Sequence, residues 1–305
     1  MKRLHQQILL ALAGLTLLIG LVQPTLTLPR SVHRYRVIVD ITQSMNTEDY
    51  HHLDYPSNRL GFVKATLHRM IRTLPCGSEI SVGLFTTQNI QFLFDPLEVC
   101  QHSGVLNETL DHIDWRMAWA ADSHVEMGIY HALNEMARDE DDARLIFFTD
   151  GQETPPQSVK PQYQPEGYHP SGMIVGVGGL APSTVPRFDR DNRRIGNWEN
   201  ADIDKPPIST NVYSLTVETR SLPETGPYLS SLDETHLKEI AAYTQLEYFR
   251  LEEPDALINQ VLKPRWAIDR PTRTDIRPGL ALMALALVLI QFLGVKQSPH
   301  SSNIG

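Results

Sequence analysis

Short apolar runs alternate with segments of helical periodicity along most of this chain. Residues 34–40, Ile80 to Phe85, Arg144-Leu-Ile-Phe-Phe148 and Met173 to Val177 are apolar runs of strand length. Between the first two, Leu60, Val63, Leu67, Met70 and Ile71 recur at helical spacing and predict a helix over 58–74. Further helices are expected near 105–113 and over 125–138. A later helix is marked at its start by Ser231-Leu-Asp-Glu234, a capping-box spacing. Strand 247–251 and helix 254–262 complete the order. Strands alternating with helices predict an α/β fold, a doubly wound and mainly parallel sheet of Rossmann type. Ile90 to Phe94 follows Ile80 to Phe85 across Thr87-Gln88-Asn89, so this pair reads as a hairpin that supplies one antiparallel edge. Residues 178–221, rich in Pro, Asp, Arg and Asn, read as an elaborated loop.

Both ends are apolar. Ile8 to Val22 is uncharged and follows Lys2 and Arg3, as in a signal peptide or an N-terminal membrane anchor. No Ala-x-Ala site follows it, which favours an anchor. Residues 279–295 are apolar around every face apart from Gln291, at the lower length limit for a membrane helix. The organisation expected is an N-terminal segment 1–30, a domain 31–263, a linker 264–278, a transmembrane helix 279–295 and a short tail 296–305. Lys2 and Arg3 place the N-terminus in the cytoplasm and the domain outside, facing the periplasm at a bacterial inner membrane. Lys263, Arg265, Arg270, Arg273 and Arg277 run against that orientation.

The formal charge of −9, with 21% charged residues and no long basic run, argues against nucleic acid as a partner. There are two cysteines. Reflecting the hairpin about Gln88 pairs residue 76 with residue 100, so a Cys76–Cys100 disulfide is geometrically plausible and would imply an oxidising compartment. The alternative is two separate buried thiols. Trp115 and Trp119, at i and i+4, read as packing residues, with an exposed partner patch as the other option.

The candidate chemistry lies at strand ends. Arg36-Val-Ile-Val-Asp40 runs into Ile-Thr42-Gln-Ser44, which puts a carboxylate and two hydroxyls at the strand's C-terminal end. Ligands collect there in open α/β sheets. Arg144-Leu-Ile-Phe-Phe148-Thr-Asp150-Gly151 repeats the arrangement. Two such carboxylates with neutral hydroxyls describe a site for a hard cation with open coordination positions.

These residues resemble the metal-dependent adhesion site of von Willebrand factor type A domains. Ser123-His-Val-Glu-Met-Gly128-Ile-Tyr-His-Ala132-Leu133 resembles the family's Thr-Asn-Ile-x-x-Gly-Leu-x-x-Ala-Leu segment, with Ser123 in place of its metal-binding Thr. The resemblance implies Thr42, Ser44 and Ser123 as hydroxyl ligands, with Asp40 and Asp150 acting directly or through water. The cofactor implied is Mg2+ or another divalent cation such as Ca2+ or Mn2+. Such an ion, short of negative charge, takes an acidic group of a protein partner as its last ligand. Thr42 replaces the family's usual Ser and Gln43 its usual Gly, and the hydroxyl is kept.

The likeness covers roughly 33–262. Over that span the chain resembles bacterial membrane-tethered type A domains of the aerotolerance-operon kind, through DITQSMNTEDY, PSNRL, the 173–198 region and LDETHLKEIA. The Asp-Ile-Thr-Gln-Ser-Met-Asn core and the terminal helices look most like the accessory type A protein of periplasmic methanol dehydrogenase. That implies a binding module for assembly or calcium loading of a periplasmic dehydrogenase, with a MoxR-type ATPase as the alternative partner. A reading from another class is a phosphatase of the haloacid-dehalogenase type. Its motif needs a second Asp where Thr42 stands, and no obvious catalytic Lys accompanies it.

Overall fold

The structure is a computed structural model that describes residues 2–22, 24–120, 122–139, 141–155, 163, 168–199 and 229–295. Its strands are β1 (Thr25–Asp40), β2 (Glu79–Thr86), β3 (Asn89–Phe92), β4 (Leu97–Glu98), β5 (Arg144–Thr149) and β6 (Gly172–Val177). The remaining strands are β7 (Ser183–Thr184), β8 (Pro186–Phe188), β9 (Arg194–Asn197), β10 (Leu229–Ser230), β11 (Glu247–Leu251) and β12 (Ala267–Asp275). Helices are α1 (Lys2–Leu21), α2 (Arg59–Thr73), α3 (Ser103–His112), α4 (Val125–Arg138), α5 (Glu234–Thr244), α6 (Pro254–Val261) and α7 (Arg277–Val295). The chain forms two units, 32–268 and the paired ends 1–31 and 269–305.

In the larger unit the sheet runs β11-β6-β5-β1-β2-β3. β1, β2, β5, β6 and β11 are parallel where they pair with one another, and β3 and β4 run antiparallel against β2. This is the doubly wound sheet with an antiparallel edge that the apolar pattern predicts. Each central strand is buried on both faces, and its side chains alternate between two cores. Val37, Val39, Ile146, Phe148, Met173 and Val175 pack under α2, α3 and α6. Ile38, Leu145, Phe147 and Ile174 pack under α4 and α5. From β1 the chain winds outward to β2 and then returns to β5 on the other side. The crevice at the C-terminal ends of β1 and β5 is therefore the topological switch point, where open sheets collect ligands.

Three sequence expectations change. Residues 264–278 are not a linker: 267–275 form β12, which pairs with β1. β1 itself starts at Thr25, inside the segment read as signal or anchor. The start of β1 and β12, more than 200 residues apart, pair with each other, and neither segment has the apolar run that announces a buried strand. Ser231 does not cap α5. The N-cap is Asp233, whose side chain accepts from the His236 N–H at 3.0 Å, because the chain from 229 to 232 is held extended by β10 and by the Leu232 N–H bond to Gly179 O at 2.8 Å. Most of the 154–170 loop and residues 200–228 of the elaborated loop lie outside the described residues.

In the smaller unit α1 and α7 lie against one another. Leu4–Leu21 is a helix long and apolar enough to cross a membrane, and Arg277–Gln291 is a shorter apolar helix. Leu10, Leu17, Leu18, Leu282, Leu285 and Leu289 all face outward and exposed.

Cys76 and Cys100 form a disulfide with Cα atoms 5.4 Å apart. The hairpin turn is the two residues Thr87-Gln88, with Thr87 at φ 60°, and Thr86 faces Asn89. Beyond 92 the register slips by two residues, since Glu79 faces Glu98. The mirror axis thus moves from one side of Gln88 to the other, and the cysteines still meet. Their separation of 24 residues closes a loop whose restriction in the unfolded chain stabilises the fold by about 3 kcal/mol. Cys76→Ala/Cys100→Ala should lower Tm by roughly 6–12 °C, and a reductant should lower the parent to the same value in a calorimetric scan.

Candidate functional site

Parallel pairing of β1 with β5 sets Val39 against Phe148, so Asp40 comes level with Thr149. The Thr149 hydroxyl donates to Asp40 Oδ2 at 2.7 Å. The other carboxylate oxygen, Oδ1, accepts from the Thr42 N–H at 2.9 Å and from Thr42 Oγ1 at 2.7 Å. After Asp40 the chain turns through a short 3-10 helix, Gln43–Asn46, which brings Ser44 Oγ to 3.2 Å from Thr42 Oγ1. Asp40 has no solvent exposure. Burial first, and then the neighbouring Asp150 carboxylate, push it up to about 7 against the pull of its hydroxyl donors.

Asp150 follows β5 by one residue and is held by a cation. Arg59, the first residue of α2, is fully buried, and its Nη1 donates to Asp150 Oδ2 at 2.8 Å and to Ser230 Oγ at 2.6 Å. Its Nε and Nη2 donate to Asp49, with Nη2 to Oδ2 at 2.6 Å. Nη1 also reaches the Ser44 carbonyl oxygen at 3.4 Å. One guanidinium thus braces the loop after β1, the loop after β5 and the segment before α5. Asp150 Oδ1 accepts from the Gln152 N–H at 3.1 Å. Gly178 makes room for Arg59: it sits at φ +110°, and a Cβ there would lie 2.4 Å from Arg59 Nε.

Ser123 precedes α4 and is pinned on both sides. Its backbone exchanges bonds of 2.7 and 2.8 Å with Thr154, and the adjacent His124 N–H donates to Thr87 O at 2.5 Å. Gly128 lets α4 seat against β2, since a Cβ there would lie 2.2 Å from the Phe85 ring. The Ser123 hydroxyl is buried and has no hydrogen-bond partner among the described residues. Next to it, Glu153 lies between His124 Nδ1 and His236 Nε2, each at 3.4 Å, and accepts from the Glu126 N–H at 2.9 Å. The hydrogen bond to the Glu153 carboxylate, which favours the protonated ring, raises His236 above its ordinary value.

Of the five residues expected to meet, Asp40, Thr42 and Ser44 are joined by hydrogen bonds, and Asp150 is close enough to Asp40 to raise it. Ser123 makes no hydrogen bond to the other four. The residue set fits a hard cation. Two buried carboxylates stand beside hydroxyls, and an orphaned buried hydroxyl is a group that lacks a partner such as an ion. Among the described residues the only group of three or more His, Cys, Asp or Glu side chains close enough to share an ion is Cys76, Glu98 and Cys100, and the disulfide removes its thiols.

Arg59, Thr149, Asp49 and Ser230 were not among the expected residues. A signal for Arg59 exists: an Arg at the first position of a helix opposes the helix dipole, so it needs local anions. Trp115 and Trp119 part company. Trp115 packs on Phe188 with ring centroids 5.5 Å apart, whereas Trp119 is 58% exposed.

Residues 36–152 match the family described as von Willebrand factor type A domain. No curated protein matches the chain. Among solved structures, an aerotolerance-related membrane protein from Bacteroides fragilis NCTC 9343 is 14% identical over 75% of this chain and 96% of that one, with a TM-score of 0.47. The conserved hypothetical protein BatB from Bacteroides thetaiotaomicron is 16% identical over 76% and 98%, also at 0.47. The ArnB paralog VWA2 from Sulfolobus acidocaldarius is 15% identical over 78% and 46%, at 0.40. The mainly parallel sheet between two helical layers in residues 32–268 is consistent with the Rossmann-like fold of that family.

Proposed function

We propose that this chain is a membrane-tethered type A domain protein that binds a protein partner through a divalent cation. The cation is held by Asp40, Thr42, Ser44, Ser123 and Asp150, and Mg2+ suits a set of hard oxygen ligands with room for water. The observation that carries the reading is a pair of buried carboxylates within electrostatic reach of each other, Asp40 and Asp150, with the hydroxyls of Thr42 and Ser44 joined to Asp40; the buried Ser123 hydroxyl, which has no hydrogen-bond partner among the described residues, adds to it. Arg59 compensates part of their charge. An ion held by hydroxyls and partly neutralised carboxylates stays electron-poor, and an acidic side chain of the partner completes its coordination. In this reading the domain performs no chemistry of its own. A phosphatase would need a general acid where Thr42 instead donates to Asp40 Oδ1.

The apolar, outward-facing surfaces of α1 and α7 support anchoring in a membrane. The disulfide supports an oxidising compartment, and with Lys2 and Arg3 it favours the periplasmic side of a bacterial inner membrane. Likeness of the Asp40 loop to the accessory type A protein of methanol dehydrogenase narrows the role to assembly or calcium loading of a periplasmic dehydrogenase. A MoxR-type ATPase is the alternative partner.

Titration of the full chain in detergent with Mg2+ tests the site. At 100 times Kd the ion should stabilise the fold by about 2.7 kcal/mol, a rise in Tm of roughly 5–10 °C. Asp150→Ala and Ser123→Ala should lose most of that rise. Unchanged Tm in saturating Mg2+, Ca2+ and Mn2+ would remove the cation from the reading.

The pH dependence carries a sign of its own. Asp40 rises from 3.8 to about 7 on folding, so the folded chain holds this proton more tightly than the unfolded chain. Its contribution to stability therefore falls as pH climbs from about 4 to about 7. In chelator, Asp40→Asn should gain stability relative to the parent between pH 5 and pH 8. Saturating Mg2+ at pH 8 should reverse the ranking, because only the parent binds the ion well.

Arg59→Met leaves Asp49 and Asp150 buried without a partner and should cost about 3–5 kcal/mol in denaturant unfolding. Arg59→Lys keeps the charge but loses the fork that orients Asp150. It should fold and bind Mg2+ roughly tenfold more weakly by calorimetric titration.

A further inference from the structure

A cavity of about 250 Å³ opens beside the cation loop, between the first turn of α2, residues 113–115 and the β8–β9 hairpin. It is of side-chain size, below the range of drug-sized pockets. Its two walls differ in chemistry. Leu60, Ile113, Trp115 and Phe188 make an apolar wall, and the Trp115 and Phe188 rings lie 5.5 Å apart. The Trp115 indole N–H is already spent on Asn192 Oδ1 at 3.2 Å, which fixes the ring as a flat surface.

The polar wall has donors to spare. Asn46 lines the cavity at 8% exposure, and its Nδ2 is buried with no hydrogen-bond partner. Lys64 reaches the carbonyl oxygens of Asp111 and Ile113 at 2.8 and 2.9 Å, two acceptors for an ammonium with three N–H groups. The carboxylate among the lining residues, Asp114, is bonded chiefly by Arg116, whose Nε donates to Oδ1 at 2.7 Å, and lies within electrostatic reach of Lys64 as well. The first turn of α2 adds the positive end of a helix 15 residues long.

We propose that this cavity is a binding site for an aromatic carboxylate, its ring against Trp115 and Phe188 and its acid on Asn46 and Lys64. The same groups occur in a small aromatic acid and in a polypeptide that ends in an aromatic residue. The site stands apart from the cation: none of its residues is among the five proposed ligands.

The test is 19F NMR of 4-fluorophenylacetate and of N-acetyl-4-fluorophenylalanine with the full chain in detergent. Saturable line broadening that persists in excess chelator is expected. Lys64→Met should weaken binding about tenfold, the equivalent of one charge-assisted hydrogen bond. Phe188→Ala, on a hairpin outside the main sheet, should weaken it as well and serves if the Lys64 variant does not fold. Tighter binding of the peptide-like acid identifies a polypeptide terminus as the source, and tighter binding of phenylacetate identifies a small acid. Broadening that vanishes in chelator yet ignores both substitutions would put the acid on the cation, overturning this site while leaving the cation reading intact. No saturable broadening of either probe also overturns it.

Discussion

A guanidinium without solvent contact must be surrounded by anions and carbonyls, and Arg59 meets that demand with groups from three separate segments. It starts α2, where the helix dipole is positive, so its placement is unfavourable twice over, by burial and by the dipole. Asp49, Asp150, Ser230 and the Ser44 carbonyl compensate. In return these groups cannot move independently. Tyr50 and Asp49 extend the brace to the loop after β6, through bonds from the Gly178 N–H at 3.1 Å and the Gly179 N–H at 2.7 Å. Gly178 has no side chain because the guanidinium occupies that space. The face of the sheet that carries the site is thus tied together from below by one charge.

The two carboxylates of the site experience that charge unequally. Asp150 shares an oxygen with Arg59, whereas Asp40 has only hydroxyl and amide donors and is pushed up to about 7. Burial supplies most of that rise, and the two cores supply the burial. Val39 and Ile41 anchor one face of β1, Ile38 the other, and Asp40 is carried between them to a point no water reaches. A strand buried on both faces has no cheap way to end in a carboxylate. The cation proposed above would relieve that tension.

How much of this the sequence made legible depended on the range of the interactions. The central strands and the helices between them could be read because each carries its own pattern, whether period-2 burial on both faces or Leu60-Val63-Leu67-Met70 on one face of α2. Strand-end Asp40 and Asp150 were legible for the same reason, since position on a strand is local information. Arg59 was not, because its partners lie 10, 91 and 171 residues away. β12 was missed on similar grounds: Ala267–Asp275 is polar, and its only reason to be extended is the start of β1. The Ser231 capping box failed through competition. Its spacing fits a helix start, but β10 and the Gly179 carbonyl hold the chain extended until Asp233.

The same distinction bears on Ser123. Its identity as a hydroxyl is local, but its usefulness depends on Thr87 and Thr154, which grip its backbone from either side and leave the side chain nothing to bond. A serine free to rotate in water would satisfy itself and gain nothing from an ion. A buried one with its backbone fixed loses a hydrogen bond on folding, a cost of about 1–3 kcal/mol that only a partner can recover. Glu153 gives the same loop a second constraint, because His124 and His236 face its two oxygens from α4 and α5. The helix that follows Ser123 is therefore fixed at its start by these contacts, so the hydroxyl would already be held in place when the proposed ion bound.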